Sequence, residues 1–368
     1  MAEAIRILHV VHSLEHGGME HVLTMVAGEL ASRGFDIHVC CLDDPGQLAD
    51  RLPDGQVHAL NRQPGFRLAT IAALRAQIRR LRPRLLHTHN YGPLLYGVPA
   101  SLWGMSVPIL HGEHAQLPPE QLTPRHRRLR RLLYTACRQI HTVSTSQCTE
   151  LLDLFPGVRS KLVPVVNGVD AKRFAPGDKR ACRERLGLPL DLTLVGIVGR
   201  FRSVKRHVPL VEAMGSVPPT VGLVIIGEGP ERPAIEAAVA ASPARERIFL
   251  IGHQDDPRPA LQSLDLLAIP SVAEGLSNAL LEAMACGVPA LANDACGNSE
   301  AIIHDENGWV VPMPTSADIA ARLTDAVADP ARLAAFGQVA RRYMLDLFAF
   351  EHTVDHYEAL YHNLTRRE

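Results

Sequence analysis

Hydrophobic and polar positions along the chain predict short strands that alternate with amphipathic helices. Apolar, β-branched runs at residues 5–11 and 192–198 each lead into a glycine-containing loop and then a helical pattern. This alternation is typical of βαβ units, which form parallel sheets and bind ligands beyond the carboxyl ends of their strands. The length of 368 residues is sufficient for two such domains. We therefore expect an α/β fold with two Rossmann-like, doubly wound parallel sheets.

Residues 274–287, EGLSNALLEAMACG, form the most informative segment of the chain. An apolar run at residues 264–269 precedes this segment. Ser277 and Asn278 are favourable helix caps, and Gly287 ends the Ala- and Leu-rich stretch that follows them. The pattern predicts a buried strand, a loop and a helix, in this order.

Two carboxylates lie on the predicted loop and helix, Glu274 and Glu282. At ~1.5 Å per helical residue they are about 12 Å apart, whereas a glycosidase acid/base pair needs about 5 to 9.5 Å. The backbone N–H groups near Leu276, Ser277 and Asn278 favour an anion at the start of the helix. The expected ligand therefore has polar groups at both ends and an anion in the middle, and a nucleotide sugar has this arrangement.

The spacing of Glu274 and Glu282, with Gly275 to Asn278 between them, closely resembles the signature of the retaining family-4 glycosyltransferases of GT-B fold. The resemblance implies that Glu274 contacts the hydroxyls of the donor sugar and Glu282 the ribose. It also implies that the two domains face each other across a cleft. The alternative is an ordinary amphipathic helix with an exposed glutamate, because short motifs also occur by chance.

A second motif, Gly199-Arg-Phe-Arg-Ser-Val-Lys205, follows the predicted strand at residues 192–198. Arg200 offers a bidentate fork and Lys205 a point charge, which together suit a diphosphate, and Gly199 permits close approach of the backbone. The spacing of Arg200 and Lys205 is similar to the diphosphate clamp of the same family. We expect no metal and no cofactor beyond the donor, a UDP-sugar or a GDP-sugar. The alternative is a surface Arg and Lys at a strand end.

The resemblance adds four residues to the donor site. Gly17 and Gly18 lie in the loop that faces the acceptor and the donor phosphate, Gly229 lies in a Gly-x-Gly-Pro corner near the nucleotide, and His253 lies in the segment that lines the base. The first loop lacks the G-x-G-x-x-G fingerprint, so a dinucleotide site is not indicated. A plain tight turn is the alternative for this loop.

Four histidines follow two consecutive predicted strands, His87, His89, His111 and His114. His-Gly-Glu-His before a basic helix is similar to a subgroup associated with exopolysaccharide (PEP-CTERM/exosortase) loci, in which Ala115 would be a glycine. That similarity implies that His114 lies beside the anomeric carbon, with His111 in reserve. We expect His87, His89 and His111 on the acceptor side. A zinc or di-metal hydrolase centre is the alternative, but no nearby Asp/Glu set completes a two-metal site.

A basic segment at residues 124–133 has apolar residues at helical spacing. One face of this helix is expected to be buried and the other cationic, and the apolar positions are Leu129, Leu132, Leu133, Cys137 and Ile140. The cationic face is either solvated or in contact with anionic headgroups or a lipid-diphosphate acceptor, at ~1 kcal/mol per basic residue. We expect Arg127 and Arg128 on the acceptor side.

Composition limits the ligand classes and the cellular location that we expect. The net charge of −1 does not indicate nucleic acid, and seven cysteines without a C-x-x-C pair indicate reduced thiols. One of them, Cys296, stands where the family prefers glycine. No signal-peptide pattern and no apolar run near the ~20 residues of a membrane span are present. We expect a cytoplasmic protein, peripheral at the inner face of the cytoplasmic membrane.

The expected domains are an acceptor-binding domain at residues 1–176, a nucleotide-sugar-binding domain at residues 177–349, and a helix at residues 350–368 that crosses back onto the first domain. The expected reaction is retaining hexosyl or N-acetylhexosaminyl transfer to a glycan or lipid-linked acceptor in exopolysaccharide or cell-surface glycan synthesis. Its catalytic residues would be His114, Glu274, Arg200 and Lys205. A sugar-nucleotide epimerase and a non-catalytic nucleotide-sugar sensor are alternatives.

Overall fold

The computed structural model describes residues 4–102, 107–294 and 297–366 of the chain, which folds into two compact units. Unit 1 comprises Met1–Asn167 and Glu351–Glu368, and unit 2 comprises Gly168–Phe350. The linker that the sequence predicts, at residues 176–178, lies within unit 2. Cys296 lies outside the described residues.

The described part of unit 1 contains a seven-stranded parallel sheet in the order β3-β2-β1-β4-β5-β6-β7. Its strands are β1 Ile5–Val11, β2 Phe35–Cys41, β3 Val57–Ala59, β4 Leu85–His89, β5 Ile109–Glu113, β6 Gln139–Thr142 and β7 Leu162–Pro164. The strand order reverses between β1 and β4. Loops that follow these two strands therefore diverge and leave space for a ligand.

The helices of unit 1 flank this sheet. They are α1 Gly18–Ser32, α2 Leu68–Leu81, α3 Tyr91–Leu102, α4 Pro124–Ala136 and α5 Thr145–Leu154. Helix α4 begins with the Thr123 side chain accepting from the backbone N–H of His126, and Pro124 occupies its first turn, where a missing N–H costs nothing.

Unit 2 contains, within its described residues, a six-stranded parallel sheet in the order β10-β9-β8-β11-β12-β13. Its strands are β8 Thr193–Val198, β9 Val221–Ile226, β10 Ile248–Gly252, β11 Leu266–Ile269, β12 Ala290–Asn293 and β13 Gly308–Val311. This is the Rossmann strand order, and it reverses between β8 and β11. The predicted α/β fold with two doubly wound parallel sheets is confirmed.

The helices of unit 2 are α6 Lys179–Leu186, α7 His207–Ala213, α8 Arg232–Ala241, α9 Arg258–Gln262, α10 Asn278–Ala285, α11 Asn298–Ala301, α12 Ser316–Val327 and α13 Pro330–Leu347. A final helix, α14 Phe350–Thr365, packs in unit 1 through the buried side chains of Val354, Tyr357 and Tyr361. No helix in the described ranges is both long and apolar enough to cross a bilayer.

Candidate functional site

The loops after β8 and β11 interlock at the point where the unit 2 sheet reverses its strand order. The Val272 N–H donates to the Val204 carbonyl across 3.0 Å. Beside this bond the Lys205 ammonium forms an ion pair with the Glu274 carboxylate, and the two side chains are 23% and 10% exposed. The structure therefore brings together the cation and the carboxylate that the sequence assigned to one ligand.

Arg206, which was not predicted from the sequence, connects the loops after β11 and β13 to the loop after β8. Its backbone is left-handed (φ 58°). The guanidinium donates to the Pro270 carbonyl across 3.3 Å, to the Pro314 carbonyl across 2.8 Å and to the Met313 carbonyl. Charged donors to carbonyls are stronger than neutral ones, so Arg206 rigidifies the loops after β8, β11 and β13.

Two close backbone approaches require glycine here. A Cβ atom at Gly227, where φ is +142°, would lie 2.0 Å from the Gly199 carbonyl oxygen. A Cβ atom at Gly297 would lie 1.9 Å from the Gly275 carbonyl oxygen. Any side chain at either position would push these loops apart. Gly199 and Gly275, both predicted site residues, are thus held by direct backbone packing.

Helix α10 starts where the sequence predicted. Ser277 is its N-cap, but the Ser277 side chain makes no capping hydrogen bond, and only 8% of this residue is exposed. The hydroxyl therefore does not occupy the amides of the first turn, which keeps the positive end of the helix dipole available for an anion.

Glu282 lies one turn further along α10 than the N-terminal amides and is half-buried. Burial raises the pKa of Glu282 to about 7, and the charge of Arg173 opposes this shift. Arg173 was not predicted. A carboxyl group of this kind changes its charge near neutral pH, which makes its interaction with a ligand dependent on pH.

The other predicted donor residues of unit 2 also lie beyond the carboxyl ends of its strands. Arg200 is exposed directly after β8 and Gly229 lies after β9. His253 follows β10, its side chain is 43% exposed, and its Nε2 atom lies 3.5 Å from Asp255. All of them share one edge of the sheet, as ligand-binding residues of this topology do.

Gly17 and Gly18 lie in unit 1, where Gly17 is the N-cap of α1 and Gly18 its first residue. The Glu20 carboxylate lies against Gly17, because a Cβ atom at Gly17 would be 2.2 Å from Glu20 Oε2. The glycine pair thus opens a helix at the strand reversal of unit 1, as predicted from the loop sequence.

The histidines of unit 1 form a buried hydrogen-bonded cluster that is larger than the sequence suggested. His114 Nε2 lies 2.8 Å from His89 Nδ1, and His89 Nε2 lies 2.9 Å from His9 Nδ1. His9 Nε2 in turn lies 3.2 Å from the hydroxyl of Tyr361. His9 comes from β1 and Tyr361 from α14, and neither was predicted.

The cluster continues on the other side of Tyr361. Its hydroxyl lies 2.8 Å from His87 Nδ1, and His87 Nε2 lies 2.9 Å from His141 Nε2. Parallel register explains the assembly, because His9 lies opposite His87 in β1 and β4, and His141 lies opposite Gly112 in β6 and β5. A strand-end pattern could have indicated His141; Tyr361 could not be placed without the fold.

Burial keeps these imidazoles neutral. It lowers the pKa of His9 and of His114 to about 3, and it lowers the pKa of His87, His89 and His141 well below the ordinary value for histidine. Each ring also repels a proton on its neighbours. At neutral pH the cluster is therefore an uncharged polar layer.

His111 belongs to a separate buried cluster. Its Nδ1 atom lies 2.9 Å from the Thr88 hydroxyl, and its Nε2 atom lies 3.0 Å from the Glu113 carboxylate, to which the Tyr134 hydroxyl donates across 2.7 Å. Arg130 forms an ion pair with the same carboxylate. Burial alone would raise the pKa of Glu113, but Arg130 and His111 lower it to about 2.

The predicted face of the basic helix is wrong at two positions. Arg130 was expected on the cationic face, yet it is fully buried, because Glu113 provides a counter-charge. Leu132 was expected on the buried face, yet it is 66% exposed. Of the acceptor-side candidates, Arg127 is half-buried and donates to the Leu154 carbonyl across 3.3 Å, whereas Arg128 is exposed.

Two family models match the chain in succession. The Glycosyltransferase Family 4 model matches residues 16–173, and the Glycosyl transferases group 1 model matches residues 178–343. The chain is a glycosyltransferase of GT-B fold. The family resemblance seen in the segment from Glu274 to Glu282 is supported at this level.

Two relatives illustrate the relationship in sequence. N-acetyl-alpha-D-glucosaminyl L-malate synthase of Bacillus anthracis is 25% identical over 368 aligned residues, which cover 95% of each chain. D-inositol 3-phosphate glycosyltransferase of Rhodococcus jostii is 26% identical, with 92% of this chain and 83% of the relative covered.

Solved structures share the fold. Anabaena Alr3699/HepE in complex with UDP and glucose superimposes with a TM-score of 0.86 at 21% identity, covering 98% of this chain and all (100%) of that chain. WaaG, a glycosyltransferase involved in lipopolysaccharide biosynthesis, superimposes with a TM-score of 0.78 at 17% identity. The superposition covers 98% of the present chain and 100% of the WaaG chain.

The buried histidines predict that this glycosyltransferase loses stability in mild acid. When the pH falls below about 6.5, the ordinary pKa of histidine, the unfolded chain binds protons on five histidines that the folded chain keeps neutral. Each of these histidines therefore lowers the free energy of unfolding by up to about 1.4 kcal/mol per pH unit. Glu282 has the opposite effect on stability. Because its pKa is raised, the folded state binds this proton more readily than the unfolded state does as the pH falls from about 7. Urea unfolding followed by circular dichroism should show a falling free energy of unfolding from pH 7 to pH 5.

His356→Gln is the matched control, because the His356 side chain is exposed on α14 and outside the cluster. Its pH profile should equal that of the wild type. A wild-type stability that is constant or rises between pH 7 and pH 5 would show that these histidines are not held neutral.

Proposed function

We propose that this glycosyltransferase takes its sugar from a nucleotide diphosphate sugar that unit 2 binds. The observation that carries the proposal is the interlocked pair of loops after β8 and β11, in which Lys205 and Glu274 meet at the strand reversal. A cation for the diphosphate and a carboxylate for sugar hydroxyls are then adjacent. The start of α10 supplies amides for the same anion.

Similar proteins support this class of donor. The Anabaena protein was crystallised with UDP and glucose and also with UDP-glucose, and one sequence relative is named for transfer of an N-acetylglucosaminyl group. We favour a UDP-sugar over a GDP-sugar on these grounds. The sugar is a hexose or an N-acetylhexosamine, and the acceptor is a glycan or a lipid-linked saccharide of an exopolysaccharide or another cell-surface glycan.

The chemistry proposed is transfer with retention of anomeric configuration and without a metal ion. Cleavage of the bond between the sugar and the diphosphate leaves negative charge on the phosphate oxygens. Lys205, Arg200 and the α10 amides stabilise that charge, and because they are positioned before the donor arrives, little reorganisation is needed. Glu274 accepts hydrogen bonds from the sugar and orients it. Glu282 accepts from the ribose.

Replacing Lys205 tests this donor site. Lys205→Met should weaken UDP-glucose binding about 10- to 100-fold, because a charge-assisted hydrogen bond is worth about 1.5 to 3 kcal/mol. Thermal-shift titration with a panel of UDP- and GDP-sugars measures the loss. Arg200→Ala should reduce the shift as well.

Arg202→Ala is the matched control for Lys205→Met, since Arg202 is an exposed cation in the same loop. It should retain wild-type affinity. If Lys205→Met and Arg200→Ala bind the donor as tightly as Arg202→Ala does, the diphosphate is bound elsewhere.

Glu282 predicts a pH dependence of donor affinity. A carboxyl group with a pKa of about 7 is mostly protonated at pH 6 and mostly ionised at pH 8. Because the carboxylate is the stronger acceptor for ribose hydroxyls, UDP-glucose affinity should rise about tenfold over this range. Isothermal titration calorimetry measures the profile. Glu282→Gln should bind more weakly and independently of pH, and an unchanged slope in that variant would remove Glu282 from the site.

We also propose that α4 contacts an anionic membrane surface. Arg125, Arg128 and Arg131 are exposed on this helix, and the exposed Leu132 side chain lies next to them in sequence. Cations beside an exposed leucine suit headgroups and the outer acyl region of a bilayer. Such contact would keep the enzyme at the surface where a lipid-linked acceptor resides.

Vesicle sedimentation tests this contact. Arg128→Gln combined with Arg131→Gln should weaken binding to phosphatidylglycerol vesicles about 30-fold, at ~1 kcal/mol per residue. Arg322→Gln combined with Arg342→Gln removes two exposed cations of unit 2 and should bind as the wild type does. Equal losses in the two double variants would indicate nonspecific charge attraction only.

A further inference from the structure

Five buried groups and the half-buried His114 form one unbranched chain of hydrogen bonds in unit 1. In order they are His114, His89, His9, Tyr361, His87 and His141, and the five contacts between them measure 2.8, 2.9, 3.2, 2.8 and 2.9 Å. Each ring nitrogen within the chain has one partner in it. The two ends of the chain are the Nδ1 atoms of His114 and His141, and His114 is the partly exposed end.

The number of protons restricts this chain to two states. A neutral imidazole has one N–H group and one lone pair, and a tyrosine hydroxyl donates one proton. Each of the five contacts needs one proton, and no group has two to give. If a histidine donates towards His141, the next histidine must do so too. The Tyr361 hydroxyl keeps the same direction, because accepting from both His9 and His87 would leave its own proton without a partner among the described residues, and a buried donor without a partner is unfavourable. All six therefore donate in the same direction along the chain.

The two states differ in every tautomer. When donation runs towards His141, the proton is on Nε2 in His114, His89, His9 and His87, and on Nδ1 in His141. When it runs towards His114, each of these positions is reversed. In both states the first four histidines share one tautomer and His141 has the other. Independent histidines would show no such rule.

We propose that this chain sets the tautomer of His114, so that His89, His9, Tyr361, His87 and His141 act as positioning residues for it. In one state His114 Nδ1 is an acceptor and in the other a donor, and neither state carries charge. A nitrogen of this kind suits a hydroxyl group, which both donates and accepts. The inference rests on the proposed function only for that ligand class, a sugar hydroxyl.

A metal ion is the competing occupant of this cluster. Ligand atoms of His9, His87 and His89 all lie within 4.8 Å of one another, and zinc accepts imidazole nitrogen. A coordinated nitrogen uses its lone pair for the metal, so it cannot also accept a proton from the next group. Hydrogen-bond distances at all five contacts favour the proton-ordered chain.

Ring-nitrogen NMR tests the proposal on the full-length protein without nucleotide. Histidine labelled with 15N in the ring reports which nitrogen carries the proton, and single His→Gln variants assign the signals. The expected spectrum has one tautomer for His114, His89, His9 and His87 and the opposite one for His141. Mixed tautomers among the first four would overturn the proposal, as would the same tautomer in all five.

Removing the Tyr361 hydroxyl tests the coupling. Tyr361→Phe divides the chain in its middle, so the tautomers of His87 and His141 should no longer follow that of His114. Tyr357→Phe is the matched control, because this buried ring contacts His87 and His141 but its hydroxyl makes no hydrogen bond to the histidines within the described residues. An unchanged pattern in Tyr361→Phe would contradict the coupling. If that variant does not fold, the wild-type tautomer pattern still decides.

Metal analysis of the purified protein distinguishes the hydrogen-bonded chain from a zinc site. The proposal expects no stoichiometric zinc and no change in the ring-nitrogen signals of His9, His87 and His89 when zinc is added. One bound zinc that shifts these three signals would replace the proton chain with a metal site. Neither result depends on donor binding by unit 2, so the proposed function is tested separately.

Discussion

The ion pair of Lys205 with Glu274 is the interaction on which the proposed donor site depends. In the free protein each charge neutralises the other at the strand reversal of unit 2, while Val204, Val272 and Arg206 fix the backbone around them. A partly exposed pair of this kind contributes only about 0 to 1 kcal/mol to stability. A charge-assisted bond to phosphate is worth about 1.5 to 3 kcal/mol. In the proposed function the donor takes Lys205 from Glu274 at small cost, and this exchange releases the carboxylate for the sugar.

Unit 2 places charged groups at its surface, whereas unit 1 buries neutral polar groups. Unit 2 keeps the cations of the proposed diphosphate site, Arg200 and Lys205, near the surface of one sheet edge. Unit 1 surrounds its histidines with strands and with α14, so they remain neutral and make hydrogen bonds to one another. An unpaired buried polar group costs about 1 to 3 kcal/mol, so the five contacts between His114 and His141 stabilise this buried layer. The result is a polar layer whose order is set by proton count.

Local sequence signals predicted much of unit 2. The apolar run before Glu274, the cap at Ser277 and the helix that follows are all short-range features, and they appear in the structure as expected. Features that depend on distant residues were missed. Tyr361 meets His9 over 352 positions of sequence. Arg130 is buried because Glu113 on another element pairs with it, and no periodicity within α4 could indicate that.

A crystal structure of the protein with UDP bound tests the central claim most directly. The account predicts that Lys205 Nζ leaves the Glu274 carboxylate and contacts a phosphate oxygen, with the diphosphate at the start of α10 and the ribose at Glu282. An intact ion pair of Lys205 and Glu274, with the nucleotide bound away from the loops after β8 and β11, would contradict it.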